Sequence, residues 1–227
     1  MTLEDALSAL RAAAEPGRAE GMAAYHKVPR EYIGLRNPEI DRLTKEWRGQ
    51  MDVDARVALA DQLWKTDIFE ARLAAAKLLT QARIRPDEAV WALICSWLPD
   101  LDSWAIADHA MMAGQKRLVA KPSRIEDVAE WTRSDSHWIR RAAMVVTLPF
   151  AKQNHPKPEE LAIRIRVLEW AAAYVQDDDW FIQKSVAWWL RDLSKHDPER
   201  VDYFLSNHAK HMKPFARKEA AKYLPGP

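Results

Sequence analysis

Punctuation constrains this chain more than any other feature. Helix-forming stretches recur between breaks headed by proline or aspartate, such as Asn37-Pro38-Glu39, Pro86-Asp87-Glu88, Leu98-Pro99-Asp100, Pro158, Asp179, Pro198 and Pro214. Proline fits the first turn of a helix and an aspartate side chain caps its free N–H groups, so each break reads as a helix start. Between the breaks Ala, Leu, Glu, Lys and Arg dominate. The 227 residues hold only six glycines, where average usage of roughly 7% would give about sixteen. An all-α chain follows.

The expected helices run from Thr2 to about Ala14, Gly21 to Lys27, Asn37 to Arg48, Asp52 or Asp54 to Trp64, and Thr66 or Asp67 to Ala82. Further helices are expected from Pro86 to Trp97, Asp102 to Met112, Ser123 to Thr132, Ser134 to Leu148 and Pro158 to Val175. The last three span Asp179 to Ser194, Pro198 to Asn207 and Pro214 to Tyr223. Paired helices of this length suit an α-solenoid or a bundle. A weak repeat favours the first. The pattern basic-x-x-small recurs at Arg72…Ala75, Arg140…Ala143, Lys184…Ala187 and Arg217…Ala220, each in the second helix of a pair. The long first interval leaves room for one more copy near residue 105, which puts Asp108 where the others carry alanine. Small residues in these slots let adjacent helices approach closely, and the basic residues would line one side of the stack. The expected architecture is one HEAT-like repeat domain over 1–227, with a helical N-terminal cap over about 1–50 and a concave binding groove.

Bulk properties narrow the function. Net charge is +1, with 48% apolar and 30% charged residues, so a nucleic-acid surface has to come from charge collected on one side. No run reaches the length of a membrane span, the N-terminus lacks a basic-apolar leader, and a single cysteine, Cys95, permits no internal disulfide. A reducing cytoplasm is the expected compartment. Cys95 lies in an apolar helix and reads as a core thiol. Among the histidines only His208 and His211 are close, with no acidic partner, so no metal site is expected. There is no glycine-rich phosphate loop and no nucleophile elbow.

The chemistry-bearing stretch is Asp102-Ser103-Trp104-Ala105-Ile106-Ala107-Asp108. Asp102 or Ser103 can cap the helix, and Trp104 and Asp108 then share a face. A carboxylate one turn from an indole, among small apolar residues, packs poorly but receives a cation well. The bland alternative is an exposed acid, or a partner of the basic residues beyond Gly114; a buried Asp108 would need a partner, which Arg141 or a bound cation could supply. Trp91, Trp97, Trp131 and Trp170 sit among helix-periodic apolar residues and read as core. Trp188 and Trp189 point about 100° apart, so one is expected in the core and the other on a groove. Lys65, Arg72, Arg140, Arg141, Lys184, Lys213, Arg217 and Lys218 are individually ordinary charges. Registered on one side, they would track a phosphate backbone.

The segments Trp104-Ala-Ile-Ala-Asp108, Trp138-Ile-Arg-Arg141-Ala-Ala and Trp180-Phe181-Ile-Gln-Lys184-Ser-Val-Ala-Trp188-Trp-Leu-Arg191 resemble the AlkD-type DNA alkylation-repair glycosylases, which are built of HEAT-like repeats. The resemblance runs from about Tyr25 to the C-terminal helix. It implies that Asp108 is the catalytic carboxylate, that Trp104 and Trp188 flank the lesion, and that Arg141 holds the DNA beside them. Tyr25 resembles the aromatic contributed by the N-terminal region, although the residues after it lack the family's aromatic-rich stretch. Arg140, Trp180, Phe181, Lys184, Lys213 and Arg217 are the further DNA contacts the reading implies. The implied activity is hydrolytic excision of cationic N3- or N7-alkylated purines from duplex DNA, without cofactor or lyase step, by a monomer acting at the nucleoid. The alternative is a non-catalytic HEAT-type scaffold for protein or nucleic acid, with the aromatics as anchors.

Overall fold

A computed structural model describes residues 1–224. Among the described residues the chain forms fourteen α-helices, three short 3-10 turns and no strand, so the fold is all-α as the punctuation requires. It divides into two compact units, residues 1–117 and the residues from 118 on.

The first unit holds α1 (Leu3–Ala12), α2 (Arg18–His26), α3 (Asn37–Gln50), α4 (Val53–Lys65), α5 (Phe69–Leu79), α6 (Glu88–Ser96) and most of α7 (Trp104–Ala120). Thr2 caps α1 in a reciprocal box with Asp5, and the Asp52 carboxylate caps α4 by accepting from Ala55 N at 2.8 Å. Helix α5 is the spine of this unit: it packs on α3 and α4 and is buried at every position from Phe69 to Ala76. Its Glu70, fully buried, accepts hydrogen bonds from Ile33 N at 2.8 Å, Gly34 N at 2.6 Å and Leu35 N at 3.1 Å. One carboxylate thereby satisfies three donors of a loop with no regular structure of its own. Gly34 sits there at φ +96°, and a Cβ on it would come within 2.9 Å of Ala19 N, so glycine is required.

Several boundaries differ from expectation, three of them for reasons visible in the contacts. Thr66 and Asp67 do not cap α5. Asp67 adopts φ +57°, its carboxylate lies 3.2 Å from both Arg30 and Arg72, and the helix starts after Ile68. Helix α5 also ends at Leu79, because the fully buried Arg117 guanidinium collects the carbonyls of Gln81, Ala82 and Ile84 that a longer helix would have used. Helix α7 runs past Met112 to Ala120. The buried face of Ala110, Met111, Ala113 and Leu118 continues across Gly114, and that burial outweighs a glycine's cost of roughly 1 kcal/mol.

The second unit holds the end of α7, α8 (Ile125–Trp131), α9 (His137–Val146), α10 (Leu148–Ala151), α11 (Pro158–Tyr174), α12 (Trp180–Leu193), α13 (Pro198–His208) and α14 (Pro214–Ala220). Helix α12 packs between α9 and α14, while α11 packs on α13 and both touch α12. Alternate helices therefore form one layer and the intervening ones a second, the arrangement of stacked helical repeats. Gln183, 1% exposed, ties the layers: its amide donates to Val175 O at 2.8 Å and Asp177 O at 3.0 Å, and its carbonyl accepts from Lys213 N at 3.1 Å. The repeat alanines Ala75, Ala143, Ala187 and Ala220 are all fully buried, as close packing of the second helices demands.

Candidate functional site

In the first unit the site is built on α7. Its N-terminus is capped by Ser103, whose Oγ accepts from Ile106 N at 3.4 Å. Asp102 is engaged elsewhere, in an ion pair with the side chain of Arg30. Ala105, Ile106, Ala107, Ala110 and Met111 are buried. Trp104 and Asp108 are half-buried and Met112 is exposed, so positions one turn apart form a single accessible stripe on an otherwise enclosed helix. The repeat register shifts by one residue here. Ala107 fills the buried slot of the other repeats, Trp104 stands at the basic position, and Asp108 lies beside the slot.

Trp104 borders an aromatic-walled cavity of about 650 Å³, lined also by Tyr25, His26, Phe69 and His109. Tyr25 is 69% exposed and meets Trp104 edge-on, ring centroids 6.3 Å apart. His26 lies 5.7 Å from Trp104 and 4.5 Å from Phe69. Burial holds both imidazoles below the ordinary histidine value. At His109 the Ala105 carbonyl, 2.8 Å from Nδ1, acts in the opposite direction. Both rings therefore present an uncharged aromatic wall at neutral pH. Sequence reasoning missed these two histidines. A usable signal was present for His109, which adjoins Asp108 and shares the turn that begins at Ala105.

In the second unit the corresponding helix is α12, and the pattern repeats. Its N-cap Asp179 accepts from Phe181 N at 2.7 Å and Ile182 N at 3.0 Å. Trp180 is 50% exposed, and Phe181, Lys184, Trp188 and Arg191 are half-buried, while the positions between them are enclosed. Trp189 is fully buried and Trp188 lines an open cavity of about 520 Å³, so the adjacent pair divides between core and groove as expected. Trp91, Trp97 and Trp131 are core residues too. Trp170 is a correction, because it is half-buried with the Arg166 guanidinium 5.7 Å from its ring.

The implied cations differ in how they are held. Arg141, 4% exposed, donates from Nη1 to Phe181 O at 2.9 Å, which fixes its guanidinium between α9 and α12. Arg140 donates to Ser134 O, Asp135 O and Asp177, and Lys184 pairs with Glu219. Lys213 is half-buried and Arg217 is exposed on α14. Arg72 is turned inward onto Trp64 O and Asp100 O, so it caps chain ends in the first unit. Trp180 stacks on Phe215 at 5.4 Å, and Phe181 packs on Trp138 at 4.6 Å. Cys95 is partly exposed and so is not the core thiol expected. Among the described residues no group of three potential ligands could hold a metal, and no helix is long and apolar enough to cross a membrane.

A family model for DNA alkylation repair enzymes matches residues 6–224. The chain belongs to this family. Solved structures agree on the fold of this DNA alkylation repair family member. A predicted DNA alkylation repair enzyme from Enterococcus faecalis is 20% identical with a TM-score of 0.78, over 94% of this chain and 98% of that one. AlkD2 from Streptococcus mutans is 17% identical with a TM-score of 0.66, over 99% and 100%. The protein smu.31 of Streptococcus mutans UA159 is 19% identical with a TM-score of 0.62, over 83% and 92%. At such identities the likeness speaks for the fold. No curated protein matches the chain in sequence.

Proposed function

We propose that this family member is a monofunctional DNA glycosylase that removes positively charged N3- or N7-alkylated purines from duplex DNA. One observation carries the reading: on α7, a helix enclosed at Ala105, Ile106, Ala107, Ala110 and Met111, the accessible positions one turn apart are an indole and a carboxylate. A structural role for Asp108 has no need of that stripe, and a cationic substrate does.

Alkylation at N3 or N7 puts a formal positive charge on the purine and makes it a good leaving group. The bond from C1′ to the ring nitrogen breaks, its electron pair passes to the base and neutralises it, and the sugar acquires oxocarbenium character. The Asp108 carboxylate stabilises that developing charge and orients the water that adds to C1′, whose proton passes to the carboxylate and then to solvent. Electrostatic stabilisation of this kind is worth about 10²–10³ in rate. Trp104 and Trp188 hold the cationic nucleotide through their π faces, at roughly 0.5–2 kcal/mol each. Arg141 grips a neighbouring phosphate through a charge-assisted fork. Arg140, Trp180, Phe181, Lys184, Lys213 and Arg217 contact the backbone around it, and Tyr25 closes on the nucleotide from the N-terminal side. No metal or cofactor is needed for this hydrolysis, and a monomer suffices.

The test is release of 7-methylguanine or 3-methyladenine from methylated duplex. The wild-type chain is expected to release free base and leave abasic sites, and Asp108→Asn to lose that release. Retained release in Asp108→Asn overturns the role of the acid. No release from the wild type, with tight capture of a protein partner, replaces the reading by a scaffold.

A further inference from the structure

Neighbouring tryptophans on α12 are treated differently. Trp189 is fully buried and its indole N–H has no hydrogen-bond partner, so packing alone fixes that ring. Trp188 borders an open cavity of about 520 Å³, and packing on that side cannot choose between its ring orientations. Its N–H instead donates to Asp192 Oδ2 at 3.1 Å, one turn further along the helix.

Asp192 is only 6% exposed. A carboxylate that enclosed is costly unless paired, and here the pairing is complete. Lys152 Nζ lies 3.1 Å from Oδ2, and Arg191 reaches Oδ1 at 3.3 Å. Arg191 also holds Glu219 at 2.7 Å, so the ring of charges links α12 to the end of α10 and to α14. The acid is therefore a fixed point, and the indole is hung on it.

We infer that Asp192 is a positioning residue: its carboxylate locks the Trp188 indole in one orientation, with the N–H occupied and the π face turned to substrate. The assignment rests on the proposed role of Trp188 at the lesion. Two physical consequences follow. An indole whose N–H is taken can offer a nucleotide only its face and edge, which suits a cation and not a hydrogen-bond acceptor. A carboxylate accepting from that N–H also pushes electron density into the ring and strengthens its attraction for positive charge. Lys152 and Arg191 hold one oxygen of the acid each, which fixes the carboxylate for both purposes.

The experiment uses the full chain labelled with ¹⁵N at the tryptophan indoles, with Trp188→Phe assigning the Trp188 signal by its absence. In the wild type this N–H is expected to resonate downfield and exchange slowly with solvent. Asp192→Ala is expected to move the signal and speed exchange by about tenfold or more, and Asp192→Asn, whose amide oxygen still accepts, to restore most of both. Single-turnover release of 7-methylguanine is expected to slow about tenfold in Asp192→Ala, to recover in Asp192→Asn, and to fall no further when Asp192→Ala is added to Trp188→Phe. An unmoved Trp188 signal in Asp192→Ala overturns the assignment, as do rate losses that multiply in the double variant. Should Asp192→Ala fail to fold, the wild type decides alone, because indole exchange as fast as that of an exposed tryptophan overturns it. A wild type that releases no base while the Trp188 signal behaves as described defeats the glycosylase reading and leaves the positioning intact.

Discussion

Helices α7 and α12 are enclosed in the same way and carry different side chains on their open stripes. Each is buried apart from a stripe of residues one turn apart. On α7 the stripe reads Trp104, Asp108, Met112, beside an aromatic wall whose two imidazoles are held neutral by burial. On α12 it reads Trp180, Lys184, Trp188, Arg191, among ion pairs with Glu219 and Asp192. A carboxylate on a stripe whose other members are apolar offers a cation the one full charge of opposite sign there. Cations on a polar stripe attract phosphate but are already partly spent on their partners. Under the proposed function the difference becomes a division of labour: the α7 carboxylate would carry the charge chemistry, and the cations of α12 and α14 would carry grip.

The largest expected effect tests that division. Asp108→Asn is expected to lower the rate of base release by about 10²–10³ while the Kd for methylated duplex changes by less than about threefold. Rates come from single-turnover release and Kd from fluorescence anisotropy. A variant that loses binding as steeply as rate would make Asp108 part of the grip and end the contrast. Next in size is a change that spares both stripes. Glu70→Ala strands three loop donors at Ile33, Gly34 and Leu35, and is expected to cost about 2–4 kcal/mol of stability, seen as a lowered Tm. The loss belongs to the first unit, which holds both Glu70 and the loop it clasps.

How much of this was legible in the sequence follows from the range of each interaction. The all-α fold, the caps at Thr2, Asp52 and Asp179, and the α11 span were readable because caps and apolar periodicity act within a turn. The split of Trp188 and Trp189 was readable for the same reason, being fixed by helix geometry alone. Contacts across long stretches of chain were not. Nothing local says that Glu70 serves residues 33–35, that Arg117 gathers carbonyls near residue 82, or that Arg72 points inward; the second moved a boundary and the third retired a predicted surface cation. The roles of Asp108, Arg141 and Trp188 came from resemblance and not from pattern, since a carboxylate four residues from an indole is common in helices. What pattern alone missed in the repeat was one residue of register, which moved Asp108 from the buried slot to the open stripe.

A smaller effect separates the units by pH. Burial depresses the His109 and His26 imidazoles below the ordinary value of 6.5, so the unfolded chain takes up their protons first. Their contribution to stability is full above about 6.5 and is lost as pH falls through the depressed folded values. The Tm is therefore expected to fall as pH drops below about 6.5, and His109→Gln to flatten that slope. An unchanged slope in His109→Gln, with His26 intact, would assign the acid sensitivity to other groups and remove the neutral-wall half of the comparison.

The smallest expected effect is on α14. Arg217 is exposed, so its removal should shift Tm by no more than about 1–2 °C and act on DNA alone. A cation that neutralises one phosphate releases about one counterion, so Arg217→Ala is expected to reduce the slope of log Kd against log salt by about one. Near physiological salt the affinity falls only a few-fold, and the loss should be the same for methylated and unmodified duplex, because a phosphate contact reads no lesion. The rate of base release at saturating DNA should not move. A change confined to methylated DNA, or one that lowers the saturated rate, would move Arg217 from the grip to the lesion itself and blur the contrast that Asp108→Asn is expected to draw.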